Sequence, residues 1–266
     1  LPKRNYKVTS TLLWDRKFGA QLVGTGSETG YVDPNIKPTF QWAGADGAEA
    51  VIKAINSYSS TFARFRINSG TVGSGGAVRG FYLVKASGGY PALPSHCLLS
   101  GIHVTGYTNQ RSDQVAIEIN NLGLGNNEHH ILRDIFVEGW TGTPNISSAK
   151  GVGVRFSDYQ VKGVRIEGRN NFTNLAVGVE CNGNYNASGI TAVNVKLLHH
   201  LVYAPEVVSI DHEDTEGVIQ HLVVGQANEV RVSEVRIANV RTDLGAGTSA
   251  LPVVQVGNAS NVTYDT

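Results

Sequence analysis

Five copies of one short motif restrict the fold of this chain more than any other feature. In each, two aliphatic positions flank one polar or aromatic residue, opened by Gly, Asp or Glu and closed by Gly or Asn. The copies are Gly101-Ile102-His103-Val104-Thr105-Gly106, Asp134-Ile135-Phe136-Val137-Glu138-Gly139, Gly163-Val164-Arg165-Ile166-Glu167-Gly168, Gly189-Ile190-Thr191-Ala192-Val193-Asn194 and Glu234-Val235-Arg236-Ile237-Ala238-Asn239. Taking Ile102, Ile135, Val164 and Ile190 as equivalent gives spacings of 33, 29 and 26 residues (135−102, 164−135, 190−164). The next interval, 235−190 = 45, fits two units if Val208-Ser209-Ile210 supplies the missing strand. A unit this short cannot bury its own apolar face, so the copies must stack and share one core.

Each unit carries a further strand ahead of the motif: Val115-Ala116-Ile117-Glu118-Ile119, Val152-Gly153-Val154-Arg155-Phe156, Val177-Gly178-Val179-Glu180-Cys181 and Val253-Val254-Gln255-Val256. Gly, Asn and Asp fill the connections, as tight turns require. Sandwiches and barrels do not need the same motif at every turn, whereas a parallel β-solenoid does. An all-β solenoid of roughly eight to ten coils is therefore expected over residues 1–266 as one domain. Its inward columns would be Ile102, Ile135, Val164, Ile190 and Val235, then Val104, Val137, Ile166, Ala192 and Ile237. One short helix is predicted, over Glu49 to Asn56.

Bulk composition removes several function classes. Lys plus Arg and Asp plus Glu are 22 each, so no basic face is announced for nucleic acid or an anionic membrane. No apolar run approaches the ~20 residues of a membrane helix, so membrane insertion is not expected. Cys97 and Cys181 lack metal-ligand spacing and fall several coils apart, so both are read as buried free thiols.

The opening Leu1-Pro2-x-x-x-Tyr6-x-Val8, the segment Leu22-Val23-Gly24-Thr25-Gly26 and the strand Phe40-Gln41-Trp42 resemble the first coils of pectate-lyase-like right-handed β-helices, a superfamily that includes phage tailspikes and fungal exo-glucanases. The resemblance implies a right-handed parallel β-helix that binds or cleaves a polysaccharide or cell-surface glycan along one outer face, outside the cell or on a virion, as a homotrimer. In that superfamily the opening follows an Asp/Gly-rich segment and a capping helix, and this chain stops inside a coil at Val262-Thr263-Tyr264, so a fragment of a longer protein is expected. The polygalacturonase arrangement of adjacent aspartates, Gly-His-Gly and Arg-Ile-Lys does not carry over, nor does the pectate-lyase Arg-x-Pro-x-x-Arg segment.

Candidate chemistry sits on the outward positions. With the motifs aligned as above, Glu138 and Glu167 face each other on successive strands about 5 Å apart. Paired carboxylates split their pKa values into an acid and a base, the equipment of glycoside hydrolysis, where separations of about 5 Å suit retention and about 6.5–9.5 Å inversion. Tyr107 and Trp140 follow as equivalent aromatics able to stack on sugar rings. His103, Phe136, Arg165, Thr191 and Arg236 form the neighbouring column, in which His103 and Arg165 would contact substrate or, in a lyase, take a proton and neutralise a uronate. A non-catalytic glycan binder is the third reading. Glu118, Arg155 and Glu180 form a ladder of alternating charge that needs no substrate. Adjacent rings in His129-His130 and His199-His200 point to opposite faces, so neither pair chelates a metal. No cofactor or metal is expected, Ca²⁺ at the acidic loop 211–216 being the one ion for which the sequence offers oxygen ligands.

Overall fold

The computed structural model describes residues 1–25, 37–70, 75–86, 94–107, 113–139, 149–158, 161–182, 185–202, 207–218, 220–224, 234–243, 254–256 and 262–264. Among them the chain is all-β, without a helix, and its strands pair in parallel.

Three ladders account for nearly every strand. A broad ladder of nine strands runs from Leu12–Asp15 through Ala48–Ile55, Ala77–Val84, Val115–Asn120, Val152–Phe156, Val177–Cys181, Leu197–Leu201 and Gln220–Val224 to Val254–Val256. A flank ladder begins with Gln21–Val23, Thr61–Ala63, Leu98–Ser100, Ile131–Arg133, Val164–Glu167 and Tyr185–Ser188. A front ladder begins with Asn5–Val8, Thr39–Trp42, Arg66–Asn68, His103–Tyr107, Phe136–Gly139, Asn170–Thr173 and Ile190–Val193. The long strands Val207–Glu216 and Glu234–Asp243 run through flank and front together. From Leu12 onward the chain visits broad, flank and front in that order, turn after turn.

Inward residues align in columns because parallel strands in register place equivalent side chains above one another. Phe40, Ile67, Val104, Val137, Phe172 and Ala192 line the front, and Phe62, Leu99, Leu132, Ile166, Ala187 and Ile210 the flank, all buried. Each large member contributes about 1.5–3 kcal/mol when withdrawn fully from water. Cys97 and Cys181 are buried and not joined in a disulfide, as expected.

Flank and front strands are separated by a sharp bend whose residue has positive φ: Arg64, Gly101, Asp134, Gly168, Gly189 and His212. A second such column, Ser59, His96, His129 and Gly163, precedes the flank strands. These bends correct the motif alignment. Gly101 and Asp134 are equivalent, but their partner in the next turn is Gly168 and not Gly163, which stands against the His129 ring at the other bend. Val164 and Ile166 therefore belong to the flank, whereas Ile102 and Ile135 begin front strands. The strand at Val208-Ser209-Ile210 is present, with Val208 paired to Val235 and Ile210 to Ile237.

The helix expected over Glu49 to Asn56 is instead part of the strand Ala48–Ile55, paired on both sides with Leu12–Asp15 and Ala77–Val84. Burial of Ala50, Val51, Ile52 and Ala54 within the sheet overrides the helix propensity of its alanines and lysine. The Glu49 and Lys53 pair, 2.7 Å apart, joins residues four apart on one strand face, a spacing that also suits a helix. The acidic stretch 211–216 is likewise strand and not loop, with Glu213 and Thr215 turned into the core.

Candidate functional site

The outer face of the front ladder near its first strands is where charge collects. Reading outward positions in register gives Asn5, Thr39, Arg66, His103, Phe136, Asn171 and Thr191 in one column, and Lys7, Gln41, Asn68, Thr105, Glu138 and Thr173 in the next. Four cations, Lys3, Arg4, Lys37 and Arg66, border a cavity of about 450 Å³ together with Asn5, Thr39, Gln41 and Asn68. No carboxylate is among the described residues that line it.

Lys37 is 5% exposed, donates from Nζ to the carbonyl of Gly101 at 2.8 Å and lies 6.0 Å from the centre of the Phe136 ring. Burial brings its amine down to about 8, against the opposing charge of Asp134. Arg66 donates from Nε to the Thr105 hydroxyl at 3.3 Å, and burial lowers it too, offset in part by Glu138. His103, paired in register with Arg66, is buried and edge-on to Phe136, with Nε2 3.6 Å from Glu138 Oε2. Burial outweighs Glu138 and holds the imidazole below its usual pKa, hence neutral near pH 7. Glu138 is lowered first by His103, so it stands as a carboxylate. Four neighbouring groups with displaced pKa values, beside a cavity, mark this face as the candidate site.

The structure separates the residues that the motif alignment brought together. Glu138 stacks between Thr105 and Thr173 on the front ladder, whereas Glu167 pairs in register with Arg133 on the flank ladder. Each carboxylate has its own partner: Glu138 has His103, and Glu167 accepts from Arg133 Nε at 3.1 Å and lies 3.9 Å from Arg165. The facing carboxylate pair does not form, because Gly163 stacks on His129 and shifts the third motif by one strand. His103 and Arg165 are divided in the same way, and the cation beside His103 is Arg66. Tyr107 is paired with Gly139 across a register shift; its side chain and all of Trp140 lie outside the described residues.

Two other readings of the sequence, the charge ladder and the opposed histidines, hold. Glu118, Arg155 and Glu180 stack in register, with Arg155 Nε 2.6 Å from Glu180. His129 is exposed while His130 is buried, and His200 faces outward while His199 is enclosed. An aromatic stack of Phe18, Tyr58, His96 and His129, with centroids 5.9, 5.6 and 5.2 Å apart, had no signal in the sequence because its members come from turns between strands. Its rings pack against one another, so it ties successive turns together. The cationic cavity was missed for a related reason: Lys3, Arg4, Lys37 and Arg66 are scattered over 63 positions (66−3) and only the ladder register gathers them.

In comparison with known proteins, no family model and no curated protein matches the chain.

Proposed function

We propose that the chain winds as a right-handed parallel β-helix and that its front face binds an acidic polysaccharide. The cyclic order of broad, flank and front strands supports the winding, with the nine broad strands standing for nine coils. Right-handed crossovers make up about 98% of parallel connections. The observation that carries the function is the cation-lined cavity. Four positive side chains converge there in a protein whose formal net charge is zero. The amide and hydroxyl groups of Asn5, Thr39, Gln41 and Asn68 suit a hydroxyl-rich ligand, and the volume is that of a small-ligand site. An anionic group in the cavity would add countercharge to a cluster in which burial already lowers Lys37 and Arg66. Hydrolysis by Glu138 and Glu167 has lost its geometric basis, and binding takes its place.

Affinity for a polyuronate should exceed that for a neutral glucan and fall with added salt. It should also weaken as pH rises through about 8, where Lys37 gives up its proton. Replacing Arg66→Gln or Lys37→Gln removes one charged hydrogen-bond donor and is expected to weaken polyuronate binding about tenfold to a hundredfold in isothermal titration. Equal affinity for neutral and acidic glycans, or unchanged affinity in both variants, would refute the proposal.

A second reading is favoured by the neutral imidazole of His103 against Arg66: β-elimination, with Arg66 neutralising the uronate carboxylate and His103 taking the proton α to it, as the C=C bond forms and the glycosidic oxygen leaves the β carbon and takes a proton from water. Ultraviolet absorbance of an unsaturated product tests this directly. Its appearance with the native protein and loss in His103→Gln establishes a lyase; a product that persists in His103→Gln assigns the base elsewhere.

A further inference from the structure

Far from the front cavity, three ionisable side chains meet inside the core. His199 belongs to an inward column of the broad ladder that from Ile52 to Leu222 otherwise holds Ile52, Phe81, Ile117, Val154, Val179 and Leu222, each buried and apolar. Glu213 follows the His212 bend in the position that Ile102, Ile135 and Ile190 hold after theirs. His221 precedes Leu222 on the next broad strand. An apolar column of the broad ladder is thus broken at His199, and Glu213 of the following strand and His221 of the next broad strand face it. The side chains of all three are 0% exposed.

Their geometry is convergent. His199 Nε2 lies 2.8 and 3.0 Å from the two oxygens of Glu213, and His221 Nε2 lies 2.7 Å from Oε2. One ligand atom from each residue falls within 4.8 Å of the others. The second nitrogen of His199, Nδ1, is 2.8 Å from the hydroxyl of buried Tyr185. That outer hydrogen bond holds the ring with Nε2 directed at the carboxylate, and a partner on the second nitrogen is the usual support behind metal-bound imidazoles. A carboxylate enclosed in a core is costly unless it is paired or coordinates a metal.

We propose that His199, Glu213 and His221 form a closed structural site for one Zn²⁺, bound by the two Nε2 atoms and both carboxylate oxygens. Imidazole and carboxylate are ordinary Zn²⁺ ligands, and a site without an open position is the structural kind. Bonds of about 2.0–2.2 Å would set ligands of different residues roughly 3.3 Å apart, a few tenths wider than the present histidine-to-carboxylate distances of 2.7 to 3.0 Å. The ion pins two broad strands to the long flank-front strand.

The test uses the full chain, incubated with Zn²⁺ and freed of excess, with metal content read by mass spectrometry. One Zn²⁺ per chain is expected, with a Co²⁺-substituted protein giving the intense visible bands of tetrahedral coordination. Chelation should lower Tm by about 10 °C. Glu213→Gln keeps the side-chain shape and should lose the ion, while His129→Ala, at the exposed histidine stack, should retain it. A native chain that takes up no Zn²⁺ overturns the proposal, as does an ion lost on His129→Ala. If Glu213→Gln does not fold, the Co²⁺ spectrum of the native chain decides, octahedral or absent bands counting against the site.

Discussion

Acidification from pH 6.5 to 3 is expected to remove about 5 kcal/mol of folding stability through His130 alone. His130 is wholly buried: Nδ1 accepts from the backbone N–H of Cys97 at 3.1 Å, and Nε2–H donates to Asn127 Oδ1 at 2.6 Å. Asn127 in turn donates to the Asn120 carbonyl at 2.9 Å, which leaves its Oδ1 free to accept from the ring. A proton added at Nδ1 would confront the Cys97 N–H in a site without water contact. Burial first, then the nearby His96 and His129, bring the imidazole down to about 3. The unfolded chain binds a proton near pH 6.5 and the native chain only near 3, so the stabilisation is complete above 6.5. It declines by about 1.4 kcal/mol per pH unit below that and is gone below about 3. Urea midpoints at a series of pH values measure the slope. His130→Gln retains one donor and one acceptor; it should be less stable than the native protein at pH 7 and lose less on acidification. Parallel curves for the two proteins would refute the assignment. The effect reaches the front site, because Cys97 leads into the flank strand Leu98–Ser100 and the Gly101 bend, whose carbonyl holds Lys37.

The stacking of parallel strands was legible in the sequence because inward positions such as Ile102, Ile135, Val104 and Val137 must repeat for turns to share a core. The register of individual turns was not. Flank and front strands carry the same alternation of apolar and polar residues, so Val164-Arg165-Ile166-Glu167 reads like Ile135-Phe136-Val137-Glu138 although the two lie on different ladders. Spacing of the bends settles it: 33, 34, 21 and 23 residues separate Gly101, Asp134, Gly168, Gly189 and His212 (134−101, 168−134, 189−168, 212−189). Local pattern cannot reveal that Gly163 and Gly168 mark two different bends, since both are glycines at positive φ. The same limit concealed the candidate site. His103 was found because it lies in a repeated motif, but its partners Lys37 and Arg66 come from other turns, and Glu213 was hidden in an acidic stretch that resembles a solvated loop.

Replacing Gly189 by alanine should cost about 3 to 5 kcal/mol, on the order of 10 °C in Tm. Gly189 bends the chain between Tyr185–Ser188 and Ile190–Val193 at φ +71°. An added Cβ would stand 1.9 Å from the carbonyl oxygen of Gly168, the bend residue one turn below. That oxygen is backbone and fixed by the ladders on either side, so relief requires parting two turns or twisting the bend, and either disturbs the register that collects the front-face side chains. Gly47 separates the two parts of this cost, because its φ is also +71° and an added Cβ there meets nothing within 4 Å. Gly47→Ala therefore carries the left-handed penalty alone, about 1–2 kcal/mol. The difference between the variants in thermal or urea unfolding measures the close approach of successive turns. Equal losses would mean that the bends at Gly168 and Gly189 are not stacked, and the register correction that divides Glu138 from Glu167 would fall with them.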